Sequence, residues 1–252
     1  MPLMDEFKEE RASIKNAPFK KKLRYFWDYY KWHVVVVIIV IWTVCSLVNL
    51  YLNKRELVFY TACINSTCLE ADMDVYGNAF GEYLGINTKK QECLFETGLP
   101  MDLAHMDSDS VGTTQKIMVY MSASDIDSII TTDNTLQHYA YLNSFCDLNE
   151  FLSAEELEKY DLKLYYMDQA VAREMKALTD AKDYNTTVEL PKDPYDPTTM
   201  KEPVAVGIAI EKGHPFYNSF HFSGEGPAIL SIVKNTKHPE TCHKLIEYLF
   251  SK

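Results

Sequence analysis

The chain has 252 residues, 47% of them hydrophobic and 24% charged, with a net charge of -11. That is too apolar for a disordered chain, and nine Gly and ten Pro exclude a collagen-like or low-complexity one. The charge is uneven: residues 1–33 hold eight Lys or Arg against five acids, and the remainder holds 17 against 31. An acidic body of this kind excludes a nucleic-acid binder, which needs a basic face against phosphates.

Asn16-Ala17-Pro18 reads as a helix start, with Asn as cap and Pro in the first turn. In the following FKKKLRYFWDYYKW, Phe19, Leu23, Phe26 and Tyr30 recur at near-helical spacing among Lys20, Lys21, Lys22 and Arg24. This predicts a basic, aromatic helix along the anionic inner leaflet, within a cytoplasmic segment 1–33. Residues 34–52, VVVVIIVIWTVCSLVNLYL, carry no charge. As a helix they span about 28 Å, the thickness of a bilayer's hydrocarbon core, so they predict one transmembrane helix. Trp27, Trp32 and Tyr51 are the expected membrane-interface residues, because amphipathic rings prefer the headgroup level. The excess of Lys and Arg before the run places the N-terminus in the cytoplasm and residues 53–252 outside. A cleavable signal has a shorter apolar core and a small-x-small exit, and a lipoprotein signal has a small residue before its Cys. Val44 precedes Cys45, so the helix is expected to stay as an uncleaved anchor, with the lipid bilayer as its first partner.

Residues 53–252 are long enough for one substantial core. Leu57–Cys63 is a β-rich apolar run. Ala71–Leu84 has helical periodicity and Gly85 as its stop. Thr88–Phe95 predicts a second strand and Ser108–Met121 a helix, weakened by Gly112. Asp127–Thr131 predicts a third strand and Asn134–Leu142 the helix after it. Ser153-Ala-Glu-Glu156 is a capping box opening a short helix to Tyr160. Leu162–Met167 predicts a strand, 168–203 is ambiguous, and four prolines make 191–203 a loop. Val204–Ile210 and Ala228–Val233 read as buried strands. Pro239–Phe250 puts Cys242, Leu245, Ile246, Leu249 and Phe250 on one helical stripe. Alternating strands and helices predict an α/β domain with a largely parallel sheet.

Two stretches carry a resemblance: D125-I-D-S-I-I-T-T-D-N-T-L-Q-H-Y-A140 with F145-C-D-L-N-E-F-L152, and the tail I232-V-K-N-T-K-H-P-E-T-C-H-K-L-I-E-Y-L249. With VAVGIAI between them, the outer domain resembles the extracellular solute-binding proteins of ABC importers. There an "Asp-x-Ile/Val" strand leads to a helix and then to a segment crossing between lobes, and the tail matches "Ser-Lys-His-Pro-Glu-x-Ala-x-x-Phe-Ile-x-x-Leu". The resemblance implies a periplasmic-binding-like domain with a reduced second lobe at 147–203. All three Trp lie in or before the anchor, so the outer domain lacks the indole platforms on which sugar-binding relatives stack ligands.

No nucleophile-elbow, zinc-protease, Walker or dinucleotide pattern occurs, so no catalytic residue, cofactor or metal is expected. The outer histidines lack ligand spacing. The pairs Asp72/Asp74, Asp107/Asp109 and Asp125/Asp127 read as helix caps and solvated loops, without a calcium-loop Gly. Ser223-Gly-Glu-Gly-Pro227 reads as a connector. Among Cys63, Cys68, Cys93, Cys146 and Cys242, Cys63 is free to pair with Cys68, or either of them with Cys93, while Cys242 reads as a buried thiol. Asn65-Ser-Thr and Asn185-Thr-Thr match glycosylation acceptors. In open α/β sheets ligands sit beyond the carboxyl ends of strands. This makes Thr132, Asp133 and Tyr139 the ligand-binding candidates, with Tyr195 from the proline-rich loop. The expectation is a non-enzymatic, membrane-anchored, solute-binding-like domain that holds a small-molecule ligand or a partner near the membrane. The alternative is an interaction or assembly subunit of a membrane-protein complex, its cleft lost.

Overall fold

The computed structural model describes residues 18–183, 186–224 and 226–251. The expected cap Asn16, the acceptor Asn185, Glu225 of the glycine-rich connector, and the side chains of Lys21, Lys22 and Phe26 lie outside the described residues. The chain divides into two compact units, 1–54 and 55–252.

The first unit contains helix α1, Phe19–Leu52, 34 residues long. Its stretch Tyr30–Leu52 has a mean hydropathy of 2.5 and is long and apolar enough to cross a membrane. Trp32 and Tyr51 sit in the first and last turns of that stretch, and Trp27 lies about one turn earlier; all three rings are exposed. The basic segment is not a separate surface helix as expected. It continues without a break into the apolar stretch, and it holds neither Gly nor Pro at which a helix bends.

The second unit opens with β1 (Glu56–Ile64), a tight turn at Asn65, and the two-residue β2 (Ser66–Thr67). Helix α2 (Glu70–Leu84) ends on Gly85 with φ 74°, the left-handed stop that its sequence predicts. After β3 (Gln91–Leu99) comes α3 (Ser108–Ala123), whose cap is the Asp107 carboxylate accepting the Ser110 N–H at 2.8 Å. Then follow β4 (Ser128–Thr131), α4 (Asp133–Tyr141), α5 (Leu148–Phe151) and α6 (Ala154–Lys159), the last opened by the predicted capping box at Ser153. The strand predicted at Leu162–Met167 is β5 (Leu164–Asp168), and it runs directly into α7 (Gln169–Asp180) in the ambiguous region, followed by a loop with a 3-10 turn at Pro197–Thr199. The chain finishes with β6 (Pro203–Ile210), a 3-10 turn at Pro215–Asn218, β7 (His221–Phe222), β8 (Ala228–Ile232) and α8 (Pro239–Phe250).

The sheet has six strands in the order β3-β1-β4-β8-β6-β5, and β2 pairs separately with β7. The expectation of a largely parallel sheet is corrected. Only β1–β3 and β1–β4 are parallel, while β4–β8, β8–β6 and β6–β5 are antiparallel. Between β6 and β8 the chain makes only a 3-10 turn and the short β7. It returns from the same edge without a helix crossover, and antiparallel pairing is what that permits. Residues 147–203 also do not form a separate compact unit. Residues 147–203 supply edge strand β5 to the common sheet, and residues 55–252 form one unit. The proline-rich loop lies along β5, where Pro194 accepts the Tyr166 N–H at 2.7 Å and occupies part of the sheet edge.

Two cores cover the two faces. One gathers Phe59, Phe80 and Phe95 with Phe216, Phe220 and the stripe Cys242, Leu245, Ile246 and Leu249 of α8. The other gathers Tyr60, Ile117, Ile129, Leu136, Tyr139 and Ile229 beneath α3 and α4, with α7 packed on α4. Pro239–Phe250 forms the helix its pattern predicts, with Phe250 itself half-buried.

Asp168 ties the loop to the sheet. Its buried carboxylate accepts the N–H groups of Ala170 at 2.9 Å, Lys201 at 2.8 Å and Glu202 at 3.1 Å. Burial opposes ionisation, but the three backbone donors outweigh it and hold the group below the ordinary carboxylate range. A depressed folded-state pKa contributes stability above the unfolded value of about 4, and that stability is lost as pH falls through the folded value. We therefore expect Asp168→Asn to cost about 2 kcal/mol near pH 7, because its amide would present N–H to a backbone N–H. The loss should shrink below about pH 4, where the wild type loses the same stabilisation. Urea midpoints measured across pH test this, and a pH-independent difference refutes the assignment.

Candidate functional site

The carboxyl edge of the parallel strands gathers the ends of β1, β3, β4 and β6 and the start of β5. Thr132 caps α4 there without a side-chain bond to the helix and is half-buried. The exposed Asp133 carboxylate accepts a short hydrogen bond from the Tyr165 hydroxyl. Tyr165 meets Tyr195 edge to face at 5.5 Å between ring centroids. The Lys163 ammonium stands 4.6 Å from the centre of the Tyr195 ring and 2.9 Å from Glu211. Asp133 and Tyr195, two of the four expected residues, therefore share one patch through Tyr165 and Lys163, which the sequence reading did not single out. The signal for Tyr165 was weak: it is one Tyr of the pair in LYYMD, and only the register decides which of the two faces α4.

Tyr139 is placed elsewhere. It is fully buried beneath α4, and its ring borders a groove at the opposite, amino edge of the sheet. The Tyr139 hydroxyl is buried without a hydrogen-bond partner among the described residues. The groove has a volume of about 440 Å³ and is walled by Met118, Met121, Leu142 and Val233, with Lys234 on its rim.

Burial first, and then the Asp133 carboxylate, push the Tyr195 phenol up to about 12. The same causes, in the same order, raise Tyr165 well above its ordinary range. Both phenols are protonated at neutral pH, so they offer hydrogen-bond donors and ring faces, not a phenolate base.

No family model, curated protein or solved structure matches this chain. Its chemistry rests on its own residues.

Other polar residues singled out by the sequence are tied into the fold. Asp125 lies in an exposed loop as expected, but Asp127 is neither cap nor solvated. Asp125 pairs with Lys237 at 2.9 Å, and Asp127 is 2% exposed. The Asp127 carboxylate accepts the Tyr60 N–H at 2.9 Å and the Thr236 hydroxyl at 2.5 Å, with His238 Nδ1 at 3.0 Å. The two stretches that carry the family resemblance are thus bonded to each other. Glu96, Lys116 and Tyr60 form a second cluster that sequence reading missed: Lys116 Nζ lies 2.6 and 2.7 Å from the two Glu96 oxygens, and the Tyr60 hydroxyl also donates to Glu96. His214 accepts the Phe216 N–H at Nδ1 and so donates from Nε2 to the Leu249 carbonyl at 2.7 Å. His243 stacks on Phe151 and meets Glu156 at 3.0 Å. No cluster of three metal-ligating side chains occurs among the described residues. All six thiols are free, and burial pushes Cys93 up to about 12 and Cys242 higher still. Ser223 bonds the Asn65 carbonyl through both its N–H and its hydroxyl, fixing one end of the connector.

Proposed function

We propose that this chain is a single-pass membrane protein whose α/β domain lies outside the cytoplasm and serves as a non-enzymatic interaction module of a membrane-protein complex. The reading treats the domain as a solute-binding-like fold reduced to one body. The observation that carries it is that residues 147–203 add only edge strand β5 to the common sheet and belong to the same compact unit as the rest of 55–252, which leaves no separate second lobe to close on a solute. The expected ligand residues are engaged instead. Asp133 is bonded to Tyr165, Tyr195 rests on Tyr165 under Lys163, and Tyr139 is in the core. The side chains left on the carboxyl edge make a shallow patch of carboxylates, phenols and one ammonium, suited to a polar protein surface. The orientation rests on the Lys and Arg excess before the apolar helix.

The test uses the full chain in detergent. A panel of amino acids, peptides, sugars and divalent cations is expected to leave its melting temperature unchanged. A captured solute at about 100 times its Kd would add about 2.7 kcal/mol of stability. A photo-crosslinking residue at Tyr195 in intact membranes should yield one discrete adduct, lost in Asp133→Ala while the melting temperature falls by only a few degrees. A solute-dependent shift abolished by Asp133→Ala would restore the solute-binding reading. Protease shaving of intact cells that spares residues 53–252 would overturn the orientation.

A further inference from the structure

Among the described residues, Thr131, Ser231 and Tyr139 carry buried hydroxyls without a hydrogen-bond partner. A buried hydroxyl left unpaired costs free energy, and such groups are rare in native folds. All three lie on the side of the sheet that α4 covers. Thr131 follows Ile129 by two residues along β4, and Ser231 stands between Ile229 and Val233. Side chains two apart on a strand share a face, and Ile129, Ile229 and Val233 all belong to the core beneath α4. A Cβ added to Gly207 would stand 3.1 Å from the Ser231 oxygen and 3.5 Å from the Leu136 side chain, which places that hydroxyl under the helix. Tyr139 is one turn along from Leu136 on the same helix face.

Two of the three adjoin the groove at the amino edge. Tyr139 lines it, and Ser231 lies two residues inward from the groove residue Val233. The volume of about 440 Å³ falls in the range of small-molecule sites, about 300 to 1,000 Å³. Of its apolar walls, Met118 is 50% exposed and Leu142 55%. Polar groups on the rim are engaged: Ser122 donates to the Met118 carbonyl at 2.7 Å, and Asn235 to the Met121 carbonyl at 2.6 Å. None of the described residues that line the groove is acidic, and its one charged side chain, Lys234, donates to Asn143 at 3.1 Å. Burial raises the Tyr139 phenol well above its ordinary range, so at neutral pH it is protonated and donates. The groove therefore combines apolar walls with a hydrogen-bond donor that has no acceptor.

We propose that the groove is the mouth of a binding site for a small, uncharged, mostly apolar molecule that bears one carbonyl group. The carbonyl oxygen accepts from the Tyr139 hydroxyl, and the apolar body lies among Met118, Met121, Leu142 and Val233. Methionine side chains are unbranched and adaptable, which lets the mouth widen to admit it. The site lies at the opposite edge of the sheet from Asp133 and does not depend on the interaction surface proposed there.

The full chain is reconstituted into phosphatidylcholine vesicles, because detergent would itself enter an apolar groove. It is irradiated with benzophenone, a diaryl ketone whose excited carbonyl inserts into nearby C–H bonds. The adduct should saturate with probe concentration and map by mass spectrometry to Met118 or Met121. Fluorenone should suppress it at about one tenth of the free aqueous concentration that its hydrocarbon counterpart fluorene needs, the effect of one hydrogen bond. In Tyr139→Phe the two competitors should become equal. The melting temperature of that variant should not fall, because Phe removes only the unpaired oxygen. Asp133→Ala should leave the labelling unchanged. Labelling that never saturates or that avoids both methionines overturns the proposal. So does equal competition in the wild type, or a preference for fluorenone that survives in Tyr139→Phe. Loss of the adduct in Asp133→Ala also overturns it and moves ketone binding to the carboxyl edge.

Discussion

Asp127→Ala is expected to destabilise the outer domain by about 3 to 5 kcal/mol, a fall of about 6 to 20 °C in melting temperature. The side chain is one acceptor serving three donors. Without it the Tyr60 N–H, the Thr236 hydroxyl and His238 face a buried methyl. Removing one member of a buried charged network costs the full desolvation of the groups left behind. The loss is also mechanical. Asp127 joins β1 to the segment between β8 and α8, and its own backbone is bonded to Tyr60 and Val233. Asp127→Asn should cost less than Asp127→Ala but remain damaging, since an amide nitrogen would face either the Tyr60 N–H or the Thr236 and His238 side. His238→Ala should be milder still, because the His238 side chain is 42% exposed. Denaturant midpoints for the three variants check the order. Equal stability of wild type and Asp127→Ala would show that the network carries no energy.

Gly77→Ala has the second large effect, about 3 kcal/mol or more. A Cβ at Gly77 would stand 2.2 Å from the Cys93 carbonyl oxygen, a backbone atom that cannot swing aside. Helix α2 would have to lift off β3, opening the contacts of Tyr76 and Phe80 with Phe95, at 4.9 and 5.9 Å between centroids. Each such aromatic pair contributes about 0.5 to 1.5 kcal/mol beyond its buried area. Gly112→Ala on α3 is the control with the opposite sign. Nothing lies within 4 Å of its added Cβ, so it should gain about 0.5 to 1 kcal/mol from restricting the unfolded chain. Melting temperatures of both variants, measured side by side, test the close approach at Cys93 and nothing else about the helix.

Elements with local signals were legible. The Ser153 box, the Gly85 stop and the Pro239 start each satisfy the helix's own end groups, and all three lie where their residues place them. Helix α7 was missed although Asp168 caps it, because its cap is also a strand residue and the Lys201 and Glu202 donors lie more than 30 positions away. Strand direction was misread for a related reason. Alternation says that helices separate strands, but whether β6 returns beside β5 head to tail depends on how far the proline-rich loop travels. Of the four expected ligand residues, Thr132, Asp133 and Tyr195 lie at the carboxyl edge, and Tyr139 does not. A residue six positions along α4 from Asp133 has descended about 9 Å, which carries it to the opposite end of the sheet.

Strand β8 has a consequence for how the domain acquires its structure. It sits between β4 and β6, and it lies later in the chain than every other strand. Until it arrives, β3-β1-β4 and β6-β5 are two fragments with raw inner edges, and nothing in the ladder joins them. Both fragments exist once β6 ends at Ile210, and their joining waits for β8 to begin at Ala228, a late, long-range closure step. Such an order makes the chain slow to mature and dependent on protection from wrong strand pairing during that interval.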